Sequence, residues 1–240
     1  MKKLLLTTCC TMLAITTCIS QQKHHNKNTF KKLDKFYVQG NIGGYLPGHK
    51  IDNQYSSGAH KVKKGMIGSF FIGKKINDNF RIDFQYLKPA NLKINDSVRN
   101  KSDTATVTFK QKIKVDNFFL NAYYDFTKHP KINPYIGAGI GYSKVKPGIY
   151  RVSDPTYKFE YKAKKSNNFA FNAKLGAIYK LTDKISLDTH YSYVNAGKGD
   201  KFTSVSQYID NIFQKTDILK DSKKSKIDFH AIMVGIRYNF

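Results

Sequence analysis

The last fifteen residues of this chain, Lys226 to Phe240, read KIDFHAIMVGIRYNF and constrain its fold more than any other stretch. Steps of two back from the end give Phe240, Tyr238, Ile236, Val234 and Ile232; between them lie Asn239, Arg237, Gly235, Met233 and Ala231. One parity is apolar throughout and the other is small or polar. A period of two belongs to a β-strand, and this length suits a membrane-crossing strand of about 9–11 residues. Such a strand needs partners upstream and, in a closed barrel, pairs with the first strand.

Those partners are legible. Alternation predicts strands over about 36–46, 65–76, 80–86, 106–126, 134–146, 167–180 and 185–196. The cleanest sets Phe80, Ile82, Phe84 and Tyr86 against Arg81, Asp83 and Gln85. The second strand is ambiguous, because Gly68, Phe70 and Ile72 oppose Ile67, Ser69 and Phe71. The fourth is longer than a membrane needs. Asn77-Asp78-Asn79 is a tight turn by residue type. Connections run long and short in alternation, the rhythm of an up-and-down meander, and eight strands is the smallest common closed form. Within the last long loop, Val205 to Leu219 has a weak apolar period that predicts a short helix. The run Gly137-Ala138-Gly139-Ile140-Gly141 lacks the following helix of a dinucleotide fingerprint, so its glycines read as room for bulky neighbours in a narrow lumen.

After the first twenty residues no apolar run is long enough for a spanning helix, so insertion into a membrane must use strands. A mean hydropathy of −0.50 looks soluble, but alternation hides barrel strands from such averages. Residues 1–20 carry Lys2 and Lys3, an apolar and Thr-rich core and Cys18-Ile19-Ser20, which reads as a secretory signal peptide. Cys9, Cys10 and Cys18 all lie inside it, so the mature chain has neither disulfides nor thiolate metal sites. Lipidation at Cys18 is the poorer reading, since Thr17 stands where a lipobox takes Gly, Ala or Ser. Residues 21–35 read as a flexible basic leader, in which His24-His25 is incidental. The barrel domain is then 36–240.

The same alternation fits a soluble lipocalin-like barrel with apolar side chains inward, or a membrane barrel with lipid outside. Aromatics near strand ends, among them Phe36, Phe80, Tyr86, Phe126, Tyr142, Phe169, Tyr179 and Tyr238, favour a girdle at the membrane interface, although the usual Trp is absent. The opposite faces carry charges of both signs, which a narrow lumen can pair: Arg81, Asp83, Asp125, Lys174, Asp188, His190 and Arg237. Asn121-Ala122-Tyr123-Tyr124-Asp125-Phe126, Asn133-Pro134-Tyr135-Ile136-Gly137-Ala138-Gly139-Ile140-Gly141-Tyr142 and the closing strand together resemble the OmpA/Opa-type outer-membrane β-barrel (opacity-like surface antigen) family. The resemblance implies an all-β, eight-stranded antiparallel up-and-down transmembrane β-barrel in the bacterial outer membrane. It also implies that Ile236, Tyr238 and Phe240 form the C-terminal signal read by the barrel assembly machinery.

For chemistry the strongest candidate is a lipid A hydrolase built on His190 and Ser192 with Asp188. Same-face neighbours on a strand stand about 6.6–6.8 Å apart, and this parity turns toward the lumen, so a triad needs long reaches and faces away from lipid. No catalytic, cofactor or metal constellation is expected, and eight strands leave no open pore. A net charge of +24, or +22 once Lys2 and Lys3 leave, invites a nucleic-acid reading, but an exported chain rarely meets nucleic acid. The expected partners are outer-membrane lipids, lipopolysaccharide phosphates and anionic host-surface glycans or proteins. Lys61, Lys63 and Lys64 in the first long loop, with Lys158, Lys162, Lys164 and Lys165 in the third, are the expected contacts of a surface antigen or adhesin.

Refolded in detergent, the chain is expected to give a β-rich circular dichroism spectrum and to run faster on a gel unheated than boiled. A predominantly helical spectrum contradicts the strand assignment.

Overall fold

The computed structural model describes residues 35–48, 51–52, 59–60, 63–99, 106–126, 131–199, 202–219 and 226–240. The expected signal peptide, most of the leader, Cys18 and Lys61 lie outside them. Within them are fifteen strands: β1 (Phe36–Pro47), β2 (Ile51–Asp52), β3 (Ala59–His60), β4 (Gly65–Lys75), β5 (Phe80–Pro89), β6 (Leu92–Arg99), β7 (Thr106–Asp125), β8 (Ile132–Pro147), β9 (Tyr150–Ser153), β10 (Tyr157–Ala163), β11 (Ser166–Lys180), β12 (Ile185–Lys198), β13 (Phe202–Ile209), β14 (Ile212–Ile218) and β15 (Lys226–Asn239).

Eight of them close a ring. β1 pairs with β4 and β15, β5 with β4 and β7, β8 with β7 and β11, and β12 with β11 and β15, all antiparallel. Each ring strand therefore has a neighbour on both edges, which lipid demands, since an unpaired backbone group in hydrocarbon costs several kcal/mol. At one end the connections are tight. Asn77 Oδ1 accepts from the backbone N–H groups of Asn79 (2.9 Å) and Phe80 (2.7 Å), and Thr182 Oγ1 does the same for Ile185 (2.9 Å).

Side-chain direction separates the membrane barrel from the lipocalin-like alternative. Ile42, Leu120, Ile140, Leu175, Ile232 and Ile236 stand exposed on the outer wall, while Arg81, Asp83, Asn121, Lys174, Asp188 and Arg237 are buried inside. A soluble barrel cannot leave that wall to water. The ambiguous strand, β4, turns Ile67 and Phe71 inward and Met66, Phe70 and Ile72 outward.

The lumen has two halves. Polar side chains fill the half next to the tight turns. The half next to the long loops is an apolar plug that includes Tyr45, Leu87, Val115, Phe119, Val145, Val194, Phe229 and Met233. The inward glycines make room for the polar half: a side chain at Gly137 would run into the Tyr123 ring, and one at Gly139 into Asn121.

The expected helix at Val205–Leu219 is a β-hairpin instead. Ile209 faces Ile212 across Asp210 and Asn211, whose φ angles of 49° and 63° form the left-handed pair of a two-residue turn. Asp and Asn accept those angles, and the β-branched Thr203, Val205, Thr216 and Ile218 favour strand over helix.

Gly137→Leu is expected to overpack Tyr123, lowering stability by about 1–3 kcal/mol and shifting the urea midpoint of the gel-mobility change downward. Ala138→Leu, on the outer wall, is expected to leave that midpoint in place; equal effects would contradict the inward role of Gly137.

Candidate binding face above the barrel

β7 runs for twenty residues, and its two halves do different work. Asn117–Tyr124 pairs with β5 in the ring. Thr106–Ile113 pairs instead with β6, and Thr108–Lys110 pairs on the other edge with β9. From β9 the sheet continues through β10 and β13 to β14. The long connections expected as loops thus carry a six-stranded sheet, β6-β7-β9-β10-β13-β14, rooted in the barrel through one shared strand.

The two faces of this sheet differ because strand parity separates them. On one face Tyr150 stacks with Phe109, Tyr161 and Phe202 at ring-centroid distances of 5.8–6.5 Å, and Leu92, Ile94 and Ile113 are buried. The other face is cationic. Residues opposite each other in an antiparallel pair point the same way, and the register sets Lys93 against Lys112, Asn95 against Lys110, Lys110 against Arg151 and Arg151 against Glu160. Lys158 and Lys162 share Glu160's side of β10 by parity. Among the side chains described, six cations therefore stand on this face of the sheet with one carboxylate.

Two of the opposite pairs, Lys93–Lys112 and Lys110–Arg151, are like-charged, and Lys114 faces Lys146 below them. Like charges directly opposite destabilise a sheet. Compensation comes only at the margins. Glu160 bonds Arg151 at 2.9 Å and lies 3.8 Å from Lys158. Asp116 takes Lys88 at 3.1 Å, Lys146 at 3.5 Å and the Tyr86 hydroxyl at 2.9 Å. Between these margins Lys93, Lys110 and Lys112 line a cleft of about 460 Å³ with Arg151, Asn95, Gln111 and Gly148, and among the described residues no acid lines it.

Of the lysines expected as contacts, Lys63, Lys158 and Lys162 are placed at this face. Lys63 donates its backbone N–H to the Lys93 carbonyl at 2.9 Å. Lys158 sits over the Tyr208 ring at 4.3 Å. Lys158 and Lys162 lie on β10 and not in a loop, while Lys164 and Lys165 are exposed beyond its end and Lys64 stands directly before β4. Sequence reasoning missed Lys93, Lys110 and Lys112. The signal was present: the parity that carries Phe118 and Leu120 to lipid continues upstream as Lys114, Lys112 and Lys110, which marks where β7 leaves the bilayer.

Inside the barrel the expected polar residues fall into connected groups. Arg81 Nε donates to Asp125 at 3.2 Å, and its guanidinium lies between the rings of Tyr123 (3.9 Å) and Tyr135 (4.3 Å). Asp83 accepts from Tyr37 (2.8 Å), Asn121 (2.7 Å) and Tyr123 (3.2 Å). Lys174 Nζ donates to Gln85 at 2.7 Å and Tyr123 at 2.9 Å. Asp188 holds His190 Nδ1 at 2.6 Å, accepts from Tyr135 at 3.0 Å and lies 3.8 Å from Arg237, which donates to Gln39 at 2.8 Å. Strand spacing suggested that Asp188 and His190 need a long reach, yet their side chains meet. Ser192 does not join them. Its Oγ and His190 Nε2 have no partner among the described residues, both residues are 2% exposed, and Phe71 packs edge-on over the imidazole at 6.3 Å. Among the described residues Ser192 and His190 are not hydrogen-bonded to each other, so they do not form a nucleophile–base pair in this structure.

Comparison with known proteins agrees with this architecture. Residues 10–240 match the family described as outer membrane protein beta-barrel domain. The chain is 30% identical over 203 residues to outer membrane protein PagN of Salmonella typhimurium, covering 80% of each chain. It is 25% identical over 243 residues to a putative adhesin of Rickettsia bellii, covering 100% of each. Among solved structures, Neisserial surface protein A aligns with a TM-score of 0.50 at 18% identity, over 85% of this chain and 97% of that one.

Lys112→Glu is expected to replace repulsion with attraction across β6 and β7 and to stabilise the sheet by about 0.2–1 kcal/mol, raising the urea midpoint at low salt. The gain should shrink at high salt, where screening weakens both terms. A midpoint that falls, or a gain that ignores salt, contradicts the like-charge reading.

Proposed function

This chain belongs to the outer-membrane protein β-barrel family, and from that premise we propose that it is a non-catalytic surface adhesin whose extracellular sheet holds anionic glycans of a facing cell. It resides in the bacterial outer membrane. Relatives in the family carry adhesin names. The observation that carries the proposal is the cationic face, where Lys93, Lys110, Lys112 and Arg151 are set against one another at a cost to the free protein. An anionic polymer lying across the rows relieves that repulsion on binding. Same-face residues of a strand stand about 6.6–6.8 Å apart, so a glycan bearing sulfate or carboxylate along its length can meet several cations at once, and electrostatic attraction also speeds encounter.

The barrel's part is to hold this face rigidly above the membrane, with a plugged lumen in place of a channel. The lumen pairs hold charge in a narrow interior, and the buried Asp188–His190 pair is structural. Ile236, Tyr238 and Phe240 are the proposed signal for the assembly machinery.

The test uses the full chain refolded in detergent and immobilised heparin as the sulfated probe, with dextran as the neutral one. Heparin should be retained at low salt, released as salt rises, and bound about tenfold more weakly by the Lys93→Ala, Lys112→Ala double variant, about 1.4 kcal/mol. Retention that ignores salt, equal retention of dextran, or full retention by the double variant overturns the proposal.

A further inference from the structure

On the outer wall a groove of about 430 Å³ opens near the long-loop ends of β1, β4, β12 and β15. Its floor follows from register. Tyr191, Ile232 and Gly44 stand in one outward row across three strands. Gly44 notches that row: a side chain built there meets nothing closer than the Gly65 carbonyl at 3.9 Å, so packing of the protein does not require the glycine. Leu46 faces His230 one row higher. Lys64, directly before β4, completes the rim, and Tyr191 Oη lies 2.6 Å from His230 Nδ1, fixing both rings as one wall. The groove is therefore apolar along Ile232, Gly44 and Leu46 and cationic at Lys64, with no acid among the described residues of its lining.

We propose that this groove seats an acyl chain of a phosphorylated outer-leaflet glycolipid of the lipid A class, with Lys64 on its phosphate. Outer-membrane barrels place their long loops outside the cell, so the groove opens into the outer leaflet. A recess in a lipid-facing wall fills with hydrocarbon, since Leu46 and Ile232 are 57% and 67% exposed. An occupant that puts its tail against those side chains brings its headgroup to the rim, where an ammonium selects negative charge. Volume and polarity also fit a ligand site, which is typically about 300–1,000 Å³ with few polar groups on apolar walls. Neither this ligand nor any residue lining this groove is shared with the cationic cleft, so the two readings stand or fall separately.

The experiment is native mass spectrometry of the full chain in detergent, titrated with diphosphorylated lipid A, dephosphorylated lipid A or phosphatidylglycerol. Faster migration of unheated samples establishes that each variant is folded. Lipid A should stay bound in preference to the other two. Gly44→Phe, which fills the groove, and Lys64→Glu, which reverses the rim charge, should each lower retention about tenfold, the scale of one lost charge-assisted contact. Lys64 precedes the strand, so its variant keeps the test open if Gly44→Phe does not fold. Equal retention of dephosphorylated lipid A or phosphatidylglycerol, unchanged retention by the folded variants, or a protein dimer in place of the lipid complex overturns the proposal.

Discussion

The structure depends on one pairing, that of β15 with β1. Eleven opposed positions, from Tyr37–Asn239 to Pro47–Phe229, join strands nearly two hundred residues apart. Without that seam both strands present a full edge of backbone donors and acceptors to hydrocarbon, where nothing answers them. The ring has to close completely or not insert at all, and closure fixes the rest. Eight strands make a narrow interior, so side chains fill it. That volume limit is why tyrosines oppose glycines around the lumen, as Tyr123 does Gly137 and Tyr37 does Gly73.

A narrow interior also decides how charge is handled. Arg81, Lys174 and Arg237 are buried with Asp83, Asp125 and Asp188, so formal charges balance among these residues. None of the three is held by a carboxylate alone, and Lys174 donates to Gln85 and Tyr123. The guanidinium of Arg81 lies over two tyrosine rings and that of Arg237 over Tyr37 at 4.1 Å, contacts worth about 2 kcal/mol or more once desolvated. Tyrosine serves twice here, as a filler and as a hydrogen-bond donor to carboxylates. Removing one member of such a group strands a buried charge at a cost of about 3–5 kcal/mol.

Much of this was legible because a period of two is local. The parity of Phe80-Arg81-Ile82-Asp83 says which side chains meet lipid without knowledge of any partner, and the terminal alternation says the same for Arg237. Register is not local, and what depends on it was not legible. Lys93 and Lys112 become neighbours only through the pairing of β6 with β7. Asp188 reaches His190 through side-chain torsions that spacing does not describe. The apolar plug was missed for a different reason: inward positions such as Val194 and Phe229 look like lipid-facing ones when read singly. The Val205–Leu219 hairpin was mistaken because weak apolar periodicity in a short segment does not separate 3.6 from 2; the Asp210-Asn211 pair, read as a turn, would have separated them.

The shared strand β7 has a mechanical consequence. A pull applied at Lys110 or Lys112 enters a strand that continues without a joint into the ring, where Ile113–Asp125 is paired with β8 and Leu87–Phe80 of β5 lies along its other edge. Force directed along β7 loads those rows of hydrogen bonds side by side, in shear, and they share the tension instead of opening one after another as in a peeled hairpin. A surface protein gripped by a facing cell under flow thus passes the load from its contact residues straight into the wall of the barrel, with no flexible tether to stretch first.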